Sequence, residues 1–96
     1  MTFSVKYTEK FLDDLRKYKK SGQKLLLAKT ERLINKCFED PRSGTGKPEQ
    51  LKHRKVETWS REINKQHRLV YEIDQKMCLC CQLGDIMMIN NIPDKV

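Results

Sequence analysis

Hydrophobic positions along the chain switch from a period of two to a period near 3.6 and back again. Phe3, Val5 and Tyr7 alternate with polar residues, which predicts a strand over residues 2–7. Phe11, Leu12, Leu15 and Tyr18 then share one helical face; Thr8 suits the N-cap before Glu9, and Ser21-Gly22 suits the end. A second helix is predicted from about residue 23 to 39, with Leu26, Thr30, Leu33, Ile34, Cys37 and Phe38 as its buried stripe. Pro41 stops it, because the residue before a proline is driven out of the helical region. The following PRSGTGKPEQ is loop by composition. Residues 51–56, 58–63, 67–73 and 77–83 return to period two and read as strands, with residues 64–66 and 74–76 as turns. The order predicts an α+β fold: an N-terminal strand, a helical hairpin, then three to four antiparallel strands in a twisted sheet that carries the hairpin on one face.

Composition narrows the class. A chain of 96 residues sets one domain over residues 1–96 as the expectation. Charged residues make up 34% against 38% hydrophobic, which is polar, yet the apolar residues recur in periodic blocks, and this argues against disorder. No apolar run approaches the roughly 20 residues that span a bilayer. The N-terminus carries charge by Lys6 and lacks the apolar stretch of a signal peptide, so a cytoplasmic protein is expected. Cys37 stands alone, while Cys78, Cys80 and Cys81 crowd one predicted strand. Neighbours on a strand do not readily bridge, and the spacing is not that of a zinc site. They read as small buried hydrophobes in a reducing compartment.

The net charge is +7, unevenly placed: +4 over residues 1–40, +5 over residues 41–71 and −2 over residues 72–96. The middle third holds Arg42, Lys47, Lys52, His53, Arg54, Lys55, Arg61, Lys65, His67 and Arg68. Gathered on adjacent strands, these would give one sheet face a positive field suited to a phosphodiester backbone. Lys17, Lys19, Lys20 and Lys24 read as an ordinary solvated helix face. Glu49 lies inside the basic stretch. In a nucleic-acid site it can take the proton of a ribose hydroxyl; a surface salt bridge is the plainer alternative. The GTGKP segment lacks the spacing of a Walker-type phosphate cradle.

Three blocks together, GTGKPEQLKH (residues 44–53), Trp59-Ser60-Arg61 with Glu62-Ile63, and HRLVY (residues 67–71), resemble the YoeB/Txe toxins of the RelE superfamily. The resemblance runs from the first strand to about Leu83. It implies a microbial-ribonuclease-like α+β fold and cleavage of messenger RNA in the ribosomal A site by a type II toxin. Such a toxin acts on mRNA on the ribosome and is neutralised by a cognate antitoxin; a homodimer or a toxin–antitoxin hetero-oligomer is expected, with no cofactor and no metal. By the match, Glu49 is the base on the ribose 2′-hydroxyl and Arg68 the clamp on the phosphate, while Arg61 aligns with a basic residue of the site. Lys47, Lys52, His53, Arg54, Lys55 and Lys65 are expected to hold RNA or the ribosome. His67 precedes Arg68 on a strand, so alternation turns it to the other face and gives it a structural reading. Trp59 and Tyr71 read as core packing rather than base-stacking platforms.

Two departures stand out. Family members carry a second arginine after Trp-Ser-Arg, where this chain has Glu62. They also end in a His-Tyr pair whose histidine acts as general acid, whereas here no histidine follows His67. Residues 85–91 can be encoded as GAC ATT ATG ATG ATA AAT AA(T/C), which from the last base of the Asp85 codon reads His-Tyr-Asp-Asp-Lys-stop. Under that encoding the tail from Gly84 is a frame-shifted remnant, left by an inactivating mutation, a tolerated variant or a sequencing error; a natural divergent tail is the other reading. Sequencing the gene checks this: a GAT codon for Asp85 or an ATA codon for Ile86 would end the idea. Two functional readings stay open: a ribosome-dependent endoribonuclease, or a catalytically impaired homologue serving as an antitoxin-binding, ribosome-binding or repressor module.

Overall fold

Thr8 ends one element and begins the next. Its backbone N–H donates to the Cys80 carbonyl (3.0 Å), its hydroxyl donates to the Cys81 carbonyl (3.0 Å), and the same oxygen accepts from the Phe11 N–H (3.1 Å). The computed structural model describes residues 3–85. In chain order these form β1 (Ser4–Tyr7), α1 (Glu9–Lys20), α2 (Lys24–Glu39), β2 (Glu49–Leu51), β3 (Thr58–Glu62), β4 (His67–Asp74) and β5 (Met77–Asp85). Residues 86–96, including most of the tail singled out from the sequence, lie outside the described residues.

The predicted α+β architecture is the observed one. The five strands make a single mixed sheet in the order β1-β5-β4-β3-β2. β2 through β5 are antiparallel neighbours, and β1 lies parallel to β5, with Val5 opposite Cys78. The parallel pair follows from the intervening helices, since a crossover is what lets two strands run the same way side by side. Gly22, at φ 75°, carries the turn between the helices, where a left-handed residue suits glycine.

One face of the sheet packs on the helices. Phe11, Tyr18, Leu26, Leu33 and Cys37 meet Leu69, Tyr71, Ile73, Cys78, Cys80 and Leu83 in one core. The helical stripes are narrower than expected: Leu12 and Phe38 are exposed, and Leu15 and Ile34 are only partly buried. These residues rim an open cleft between α1 and α2, so they meet neighbours on one side only. All four cysteines are free. Cys81 is the extra residue of a β-bulge, where the register passes from Val70 opposite Gln82 to Tyr71 opposite Cys80. Burial, with the Glu72 carboxylate beside it, pushes the Cys81 thiol up to about 12, so it stays a thiol at neutral pH.

One strand prediction needs correction. The predicted strand over residues 51–56 is observed as Glu49–Leu51 alone, and the chain then bends. His53 sits at φ 62°, a left-handed conformation no strand admits, and β3 offers partners only to Glu49, Gln50 and Leu51. Asp14 is a buried group that periodicity alone does not reveal. Its carboxylate receives the Leu83 N–H (3.0 Å) and the Lys10 ammonium (2.7 Å), tying α1 to the backbone of β5.

Candidate active site

The face of the sheet turned away from the helices carries the candidate residues Glu49 and Arg68. In β2 and β3, Glu49 stands opposite Ser60; in β3 and β4, Glu62 stands opposite Arg68. Directly opposed residues share a face, and residues two apart on a strand share it too, so Glu49, Ser60, Glu62 and Arg68 all belong to this surface. Ser60 orients the arginine: Arg68 Nε donates to Ser60 Oγ at 3.0 Å. The outer nitrogen Nη2 then lies 3.7 Å from Glu49 Oε2, within ion-pair range but beyond a hydrogen bond. Nη2 is buried and has no hydrogen-bond partner among the described residues. The two partners differ in access: the Arg68 side chain is 13% exposed and that of Glu49 71%. A pre-oriented guanidinium with an unspent donor thus sits under a solvent-facing carboxylate. This arrangement can hold an anionic oxygen while the carboxylate takes up a proton beside it.

The other basic residues are divided by the register. The turn between β3 and β4 carries exposed Lys65, and Lys47 precedes β2 at that same end, exposed and at φ 49°. Beyond the other end of β2 the bent segment carries exposed Lys52, His53 and Lys55 and half-buried Arg54. This segment walls a hollow of about 440 Å³ together with Gln50, Leu51, Val56 and Glu57. Glu49 therefore stands between two groups of cations. Arg42 is spoken for: the Glu57 carboxylate grips it twice, at 2.7 and 2.9 Å, and also accepts the Trp59 indole N–H at 2.7 Å. Those bonds hold the Glu57 carboxyl below the usual carboxylate range.

Arg61 is not where its alignment with a basic site residue would suggest. It is fully buried, on the helix side of β3, and its guanidinium is surrounded by backbone carbonyls. It therefore lies on the face of the sheet opposite to Glu49 and Arg68. The reason is the strand period: Ser60 and Glu62 face the site, so Arg61 between them cannot. His67 likewise faces away from Arg68, its Nδ1 3.1 Å from Asn64 Oδ1 and its ring edge-on to Tyr18 at 5.3 Å. Trp59 packs against the core and Tyr71 lies within it.

Ser60 is a site residue that sequence reasoning missed. The signal was present, since alternation over residues 58–63 places it with Glu62 and opposite to Arg61; the diagonal pairing with Arg68 needed the register. Glu62 lies directly across from Arg68, so the reversed charge at this position belongs to the site face. Among the described residues no group of three or more His, Cys, Asp or Glu could hold a metal ion.

Known proteins are similar to this chain in sequence and in fold. A family model described as the YoeB-like toxin of bacterial type II toxin–antitoxin systems matches residues 7–84. A Toxin YoeB of Escherichia coli is 37% identical over 67 residues, covering 68% of this chain and 80% of that protein. A Toxin YoeB of Synechocystis is 48% identical over 52 residues, and there the match spans 54% of this chain and 60% of that protein's length. Among solved structures, a YoeB/ParE toxin from Agrobacterium tumefaciens superposes with a TM-score of 0.76 at 27% identity, covering 85% of this chain and 96% of that one. A heterotetrameric YoeB–YefM toxin–antitoxin complex from Staphylococcus aureus contains a chain of the same fold, with a TM-score of 0.71 at 24% identity over 88% of this chain and 97% of that one. With a family match over most of its length, this chain belongs to the YoeB-like toxins of bacterial type II toxin–antitoxin systems.

Proposed function

We propose that the protein is a ribosome-dependent endoribonuclease that cuts messenger RNA in the A site and so inhibits translation. Glu49 takes the proton of a ribose 2′-hydroxyl, the 2′-oxygen bonds to the adjacent phosphorus, and the bond to the 5′-oxygen breaks. The products are a 2′,3′-cyclic phosphate and a 5′-hydroxyl, the leaving 5′-oxygen taking its proton from water. Arg68 stabilises the phosphoryl oxygens as they gain charge. The observation that carries this reading is the buried Nη2 of Arg68, its donor unspent, set by Ser60 and directed at Glu49. Lys47, Lys52, His53, Arg54, Lys55 and Lys65 flank the carboxylate and supply the field that holds message and ribosomal RNA. No cofactor enters the reaction. The antitoxin is a separate protein that wraps this chain with a segment folding on contact, its acidic residues meeting the net charge of +7. The site of action is the cytoplasm, where ribosomes are.

A second reading has its own support. Glu62 brings a negative charge opposite Arg68, and no histidine follows His67 to serve as general acid. A homologue weakened in this way would act chiefly by binding antitoxin or ribosome. Primer extension on messages bound to purified ribosomes separates the two. Discrete A-site cuts that fall by about 10²–10⁴-fold in Glu49→Gln, with binding retained, support the nuclease. Absence of cuts by the unaltered chain supports the binding module.

A further inference from the structure

We propose that Arg61 is a positioning residue: a buried guanidinium around which the chain from Asp40 to Gly46 is wound, so that Glu49 is delivered beside the Arg68 guanidinium. The inference rests on the reading of Glu49 as the base.

Arg61 is 0% exposed, and among the described residues no carboxylate makes a direct ion pair with it, the nearby Asp40 carboxyl feeling its charge only through space. Its partners are dipoles. Nε donates to Tyr71 Oη (3.0 Å), Nη1 to the Thr45 carbonyl (2.6 Å), and Nη2 to the carbonyls of Asp40 and Ser43 (2.7 Å each). Tyr71 Oη in turn donates to the Pro41 carbonyl at 2.5 Å. Four carbonyls between Asp40 and Thr45 are thus held by one guanidinium and one phenol. The segment closes further where the Glu62 N–H donates to the Gly46 carbonyl (2.6 Å).

This segment has no regular secondary structure, so its backbone groups need partners from elsewhere. A guanidinium meets the need because its donors are fixed in one plane and point outward in several directions. Burying a cation without a carboxylate is costly, and a protein needing only packing would place an apolar side chain there. What the cation achieves here is geometric. From Gly46 the chain passes through Lys47 and Pro48 to Glu49, and the segment's far end is fixed to the same β3 that carries Ser60. A displacement of about 1 Å of a catalytic group costs on the order of 10²-fold in rate.

The test is Arg61→Lys, which keeps the charge but presents one compact ammonium, studied in the full chain on purified ribosomes. Backbone hydrogen exchange over residues 41–51 should rise while β4 and β5 stay protected. Single-turnover cleavage should fall about 10²-fold at saturating ribosomes with apparent affinity unchanged, and that fall should vanish in the Glu49→Gln background, because the two changes remove one effect. Unchanged exchange over residues 41–51, or an equal fall in the Glu49→Gln background, overturns the proposal. Tyr71→Phe removes two bonds of the same frame and should give the same pattern in weaker form if the lysine variant does not fold. Should the unaltered chain fail to cleave, the nuclease reading falls, while the exchange experiment still decides whether Arg61 orders the segment.

Discussion

Replacing Arg68 by lysine is expected to slow single-turnover cleavage of ribosome-bound message by about 10²–10³-fold, the range seen when one pre-oriented donor to a charged transition state is lost. The substitution keeps the positive charge, so the long-range attraction to RNA is preserved and half-saturation with ribosomes should hardly move. What is lost is division of labour within one group. In the protein Nε is committed to Ser60 at 3.0 Å, which leaves the Nη2 donor unspent beside Glu49. A lysine has a single nitrogen on a flexible stem and cannot be anchored by Ser60 and present a second, directed donor as well. Ser60→Ala should give a smaller loss in the same direction, since the fork remains but its orientation is relaxed. The check is a rate measured at saturating ribosomes together with a thermal melt. A loss below tenfold for Arg68→Lys, with the fold intact, would mean that Arg68 serves as a point charge and that the geometry with Glu49 is incidental.

The largest stability effect is expected at Gly46. A Cβ placed there would meet Leu33 Cδ2 at 2.8 Å, Arg61 Cβ at 3.3 Å and the Glu62 carbonyl oxygen at 3.3 Å. The leucine methyl could shift, but the carbonyl belongs to the β3 backbone and is held by strand pairing. The residue also sits at φ 89°, where a side chain is strained. Strain and overpacking together should make Gly46→Ala less stable by about 2–4 kcal/mol. For a domain of this size that lowers the melting temperature by roughly 8 °C or more. Gly22 is the natural control. It also has positive φ, 75°, but a Cβ added there would meet nothing within 4 Å, so Gly22→Ala should cost only about 1 kcal/mol. Equal melting temperatures for the two variants would show that the crowding at Gly46 relaxes without consequence.

Helix limits were legible because they rest on local chemistry. Thr8 caps α1 through its own hydroxyl, Gly22 takes the left-handed turn, and Pro41 forbids continuation of α2. The later strands were legible because alternation over residues 58–63, 67–73 and 77–83 repeats a local pattern. Residues 51–56 failed as a strand because length and pairing there depend on what β3 offers, and β3 offers three positions. The width of the helical stripes was overestimated for a related reason. Leu12 and Phe38 obey the helical period, yet the cleft between α1 and α2 leaves them without a covering layer.

By itself the sequence determined the α+β order of elements, the concentration of cations between residues 41 and 71, and, through its three motif blocks, membership of a toxin family. Alternation also told that His67 and Arg68 must face opposite ways. Only the tertiary structure decided which arginine faces outward. Period two divides a strand into two faces but does not say which face meets the helices; that depends on partners far along the chain. Arg61 is inside because carbonyls 16 to 21 residues away converge on it, and Arg68 lies beside Glu49 because Ser60, on the neighbouring strand, holds it there. Long-range hydrogen bonds of this kind leave no periodic trace in a sequence, since their spacing is set by the path of a loop rather than by the repeat of a helix or strand.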